Sequence, residues 1–107
     1  MILKNIFQIA ELPGGDSEIF ETLCKGQHIH VEKIISNGQT TPENKWYDAQ
    51  KNEWVVLIQG KARLEMEGGN TIDLSAGDYL LIPAGQKHRV VYTSSNPHCI
   101  WLAIHFD

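Results

Sequence analysis

A chain of 107 residues, 42% of them hydrophobic, can build one core and is too short for two. Its formal net charge is −4 and its basic residues form no stripe, which excludes phosphate backbones and anionic lipid as expected partners. No apolar run approaches the roughly 20 residues of a membrane helix, and the interrupted opening Met1-Ile2-Leu3-Lys4-Asn5 is not a signal peptide, so a cytoplasmic location is expected.

Residues 1–26 read as an N-terminal extension. Leu12-Pro13-Gly14-Gly15 is a loop signal that no helix crosses. Residues 17–24 fit either a short helix or a strand, and the strand is preferred. Cys24 and Cys99 lack metal-type spacing. Each reads as a small buried hydrophobe rather than half of a disulfide, which suits a reducing compartment.

From residue 27 the period is close to two. Residues 27–36 set Ile29, Val31, Lys33 and Ile35 against His28, His30 and Glu32. The more apolar face is expected to be the core face, which turns His28, His30 and Glu32 outward. If that face points inward instead, His30 and Glu32 become pocket groups. Asn37-Gly38 is a turn, and residues 40–48, with Pro42, are a loop or an edge. Residues 53–59 form the most hydrophobic strand, stopped by Gly60. Residues 61–67 alternate, and Gly68-Gly69-Asn70 makes a hairpin tip. Strands follow at 71–74, 79–82, 89–93 and 99–106, separated by turns at 75–78 and 94–97. Short strands with a turn about every ten residues mean an all-β sandwich or barrel. No boundary, repeat or low-complexity stretch divides the chain, so one domain over 1–107 is expected.

Residues 77–88 carry a specific spacing: Gly77, five residues, Pro83, one residue, Gly85, two residues, His88. This resembles the second motif of the cupin superfamily, with Tyr92 where that motif ends in Asn. Glu53, six residues and Gly60 resemble the end of the first cupin motif. The two histidines expected before Glu53 are absent; their places fall on Trp46 and Asp48, or on Tyr47 and Ala49. The resemblance spans about residues 27–106. It implies a cupin-type jelly-roll β-barrel with a polar pocket, and small cupins of this kind imply a homodimer. Ile6 and Phe7 are apolar groups that could cross to a partner.

In metal-bound cupins three histidines and one glutamate hold the ion. Only His88 and Glu53 carry over directly, with Asp48 as a chemically reasonable third ligand. The resemblance thus implies a divalent ion (Fe, Mn, Ni or Zn) on His88, Glu53 and Asp48, and a dioxygenase, isomerase or lyase acting on a small polar metabolite. The alternative is a metal-free binding or sensor module. A third reading is a metal-free acid–base enzyme with His88 catalytic and Glu53 orienting it. Trp46, Tyr47, Tyr92, His30 and His105 are the expected pocket-lining set. Trp46 and Tyr47 could equally close one end of the core. His98, after Pro97, is expected to be exposed and inert.

Overall fold

The computed structural model describes residues 1–107 and contains eight strands and no helix. They are β1 (Ile19–Lys25), β2 (Ile29–Ser36), β3 (Asn52–Gln59), β4 (Lys61–Met66), β5 (Thr71–Ser75), β6 (Tyr79–Ile82), β7 (His88–Thr93) and β8 (Cys99–Phe106). The ambiguous segment after residue 17 is thus a strand. Two antiparallel sheets form, in the orders β1-β2-β8-β3-β6 and β5-β4-β7, which is a jelly-roll arrangement.

Period-two alternation builds the space between the sheets. The larger sheet contributes Val55, Leu57, Trp101 and Ala103; the smaller contributes Ala62, Leu64, Leu74 and Val90. Leu57 and Ala103 are wholly buried. Gly60 joins β3 to β4 at φ +98°, where a Cβ would fall 2.7 Å from Cys99 Sγ, so only glycine fits the reversal.

The inward face of β2 is the reverse of the expected one. His30, Glu32 and Ile34 share the barrel side, in register with His105, Ala103 and Trp101 of β8. On the other face, which carries Val31, Lys33 and Ile35, the N-terminal segment docks at Lys33. Lys33 is 3% exposed, and its Nζ donates to the carbonyls of Ile6 and Gln8 at 3.3 and 2.7 Å. The sequence pattern distinguishes two faces of β2, but a second layer of chain makes both of them partly buried. Cys99 is buried as expected, whereas Cys24 is exposed on the edge strand β1.

Candidate functional site

The inward faces of β2, β8 and β3 are graded along the strands. Trp101, Ile34 and Leu57 lie at one end. Two residues on come Ala103, Glu32 and Val55, and two further on His105, His30 and Glu53. A barrel with polar rows at one end and apolar rows behind them is a pocket with a greasy floor. A cavity of about 270 Å³ opens there, lined by Glu32, Glu53, His88 and His105 among others.

His88 opens β7 in the smaller sheet, after the turn over Pro83 and Gly85. Gly85 takes φ +82°, which the reversal requires. The loop from 40 to 49 runs beside β7. Tyr47 and His88 exchange both backbone hydrogen bonds, at 2.7 and 3.1 Å, and Thr41 N donates to the Val90 carbonyl. This pairing sets the Tyr47 ring 5.6 Å from the His88 ring and makes Tyr47 and Asp48 part of the cavity wall.

Two imidazole–carboxylate pairs result, one imidazole from each sheet. His88 Nε2 lies 3.6 Å from Glu53 Oε1, while its Nδ1 is 3.0 Å from the Gln86 carbonyl. A carbonyl only accepts, so Nδ1 carries a proton and in the neutral ring Nε2 is the free base. His105 Nε2 lies 2.8 Å from Glu32 Oε1. Burial pushes the Glu53 carboxyl above its ordinary value, against the pull of His88 and His105. Burial also raises the Tyr47 phenol, with the nearby Glu18 charge adding to it.

Deeper in the cavity, Trp101 Nε1 donates to Ser36 Oγ at 3.0 Å, and Ser36 Oγ donates to Glu18. Burial raises the Glu18 carboxyl, the Ser36 bond lowers it in part, and the Glu53 charge raises it again. Glu18 lines the cavity and was not foreseen. It precedes β1 in an ambiguous segment, and no spacing in the chain links it to Ser36.

The other expected site residues fall differently. Asp48 lines the wall but is exposed. No three His, Cys, Asp or Glu side chains are grouped to hold a metal ion, so the set His88, Glu53 and Asp48 is not assembled as a metal site. Trp46 does not line the cavity. Its ring stacks under the Arg89 guanidinium on the outside, 5.6 Å away. Tyr92 is also outside. A register irregularity opposite Arg63 and Leu64 breaks the alternation of β7 after Val90 and pairs Tyr92 with Arg63. His30 lies on the inner face but behind His105, its Nε2 2.9 Å from Thr22 Oγ1, and takes no part in the lining. His98 is half-buried rather than exposed, with its carbonyl accepting from Gln59 Nε2 at 2.9 Å. His28 sits outside against Asp107.

The model of the cupin domain family matches residues 31–105. A candidate mannose-6-phosphate isomerase from Ralstonia eutropha JMP134 is 38% identical, with a TM-score of 0.89 over 100% of this chain and 99% of that one. A Klebsiella pneumoniae protein with a double-stranded β-helix domain is 17% identical, with a TM-score of 0.79 over 97% of this chain and 88% of its own. That second likeness concerns the fold alone. The RCS-specific HTH-type transcriptional activator RclR of Escherichia coli is 36% identical over 47 residues, which are 44% of this chain and 16% of that protein.

Proposed function

This chain belongs to the cupin family, and from that premise we propose that it is a metal-independent acid–base enzyme, of isomerase type, acting on a small polar molecule. One observation carries the reading: two imidazole–carboxylate pairs, one imidazole from each sheet, open on a single cavity. His88 Nε2 is the base. Its Nδ1 bond to the Gln86 carbonyl holds the tautomer, and Glu53 steadies the imidazolium once a proton has arrived. His105, bonded to Glu32, is the second proton carrier. His88 removes the proton next to a carbonyl while His105 donates to the carbonyl oxygen, giving an enediol. His88 then returns its proton to the former carbonyl carbon while His105 takes back the proton of the other hydroxyl, which completes an isomerisation with no net change in charge and restores both imidazoles. The 38% identity to a candidate isomerase along the whole chain supports that class. Cupin domains often bind a metal, but no three of the cavity's imidazoles and carboxylates are grouped here as ligands of one ion.

The test is solvent exchange. Purified protein in deuterated buffer with a panel of small hydroxy-aldehydes and hydroxy-ketones should introduce deuterium next to the carbonyl, and His88→Gln should abolish it. Absence of exchange across the panel, or one chelator-resistant ion per chain, would sink the reading.

The match to RclR favours a second reading, a sensing pocket without turnover. Saturable binding with no exchange would select it. Two unpaired cysteines support a reducing cytoplasm. The exposed side chains of Ile2, Leu3 and Phe7 support a homodimer.

A further inference from the structure

We propose that the molecule held in this cavity carries a protonated amine and no phosphate or carboxylate. The inference rests on the reading of the cavity as the working site and names the charge class of its ligand.

The lining is one-sided in charge. Glu18, Glu32, Glu53 and Asp48 all contribute, and no lysine or arginine does. No basic residue of the neighbouring strands lines the cavity, and several are engaged elsewhere. Lys33 faces the N-terminal segment, Arg63 pairs with Asp73, Lys87 with Glu67, and Arg89 lies against Glu65 and Trp46. His88 and His105 are the cavity's only basic side chains, and each already faces a glutamate. A phosphate ester would therefore enter a cavity of carboxylates without a guanidinium or ammonium to receive it. Phosphate sites are built the other way, from arginine, lysine and backbone N–H groups. This separates the cavity from one built for a sugar phosphate, which the name of the Ralstonia protein would suggest.

The same lining suits a cation. Glu32 and Glu53 have imidazole partners, but Glu18 has only the Ser36 hydroxyl. Burial without a cation is what raises its carboxyl, and an ammonium beside it would reverse that. Trp101 and Phe20 add aromatic surface to the same wall, which an ammonium also favours. A neutral polyol could use the hydrogen bonds but would leave the Glu18 charge uncompensated.

Three probes sharing one ring separate the cases: glucosamine, glucose and glucose 6-phosphate. They are titrated by calorimetry at about pH 6, where the amine is charged. Glucosamine should bind about tenfold more tightly than glucose, and glucose 6-phosphate more weakly than both. Glu18→Gln keeps an acceptor for Ser36 and should erase most of the advantage of glucosamine over glucose. If that variant does not fold, Asp48→Asn at the exposed rim should reduce the same advantage. Tightest binding of the phosphate, equal binding of all three, or no binding by any of them overturns the proposal. The titration is repeated in His88→Gln. A charge ranking that survives there stands even where the wild type shows no proton exchange. Failure of exchange strikes the acid–base reading, and failure of the ranking strikes this one.

Discussion

His105 and Glu32 meet on a diagonal. Their Cα atoms are not cross-strand partners, since His105 pairs with His30 and Glu32 with Ala103, yet His105 Nε2 reaches Glu32 Oε1 at 2.8 Å. Diagonal neighbours on one face lie within reach of long side chains. The bond turns the imidazole toward the cavity and leaves His30 behind it with Thr22.

A double-mutant cycle on Glu32→Gln and His105→Phe should therefore show a coupling of about 1.5–3 kcal/mol, typical of a hydrogen bond to a charged group. The cycle on Glu53→Gln and His88→Gln should show less, because 3.6 Å is too long for a direct bond. Equal couplings in chemical denaturation would contradict the distinction.

Leu57→Ala should cost about 2–5 kcal/mol, since Leu57 has no exposed surface and sits among packed neighbours. His88 is more enclosed than a residue at a barrel mouth should be, at 5% exposure. His88→Ala should cost about 1–3 kcal/mol, because the Gln86 carbonyl loses its buried donor. It should still cost less than Leu57→Ala, since its Nε2 side opens on the cavity and leaves no packed void. Urea midpoints compare the two directly. A His88 variant as unstable as Leu57→Ala, with exchange and binding intact, would make the histidine structural.

The pH dependence of Glu18→Gln has a definite sign. Burial raises the folded-state value of Glu18 above the ordinary 4.5, so the folded chain holds this proton more tightly than the unfolded one. Wild-type stability from this group is then complete at low pH and falls as pH rises through the folded value. Glu18→Gln should be stabilising relative to wild type at about pH 7, and that gain should vanish near about pH 4. A gain that grows toward acid would show that the carboxylate is favoured by its surroundings.

Lys33→Met should release the N-terminal segment. Lys33 Nζ holds the Ile6 and Gln8 carbonyls and approaches Glu21 at 3.6 Å. Hydrogen exchange should accelerate along residues 1–10 while β3 and β8 stay protected. Unchanged exchange there would show that side-chain packing, not Lys33, holds the segment.

The all-β class and the positions of the eight strands were legible in the chain itself, and the resemblance to the cupin motifs pointed to His88 and Glu53. The reason is local. Alternation at period two, glycines at reversals and the spacing from Gly77 to His88 constrain backbone within a few residues, and those constraints survive folding. Tertiary structure decided the rest. Alternation marks two faces of β2 without saying which one meets the other sheet; the N-terminal segment docks at Lys33 on the outer face, and that reverses the expected orientation of Glu32. A register irregularity in β7 turned Tyr92 out of the cavity, and no residue type announces it. Glu18 and Ser36 are 18 residues apart, and His105 and Glu32 are 73. Pairs so separated become neighbours only through strand order, which depends on packing summed over the whole chain.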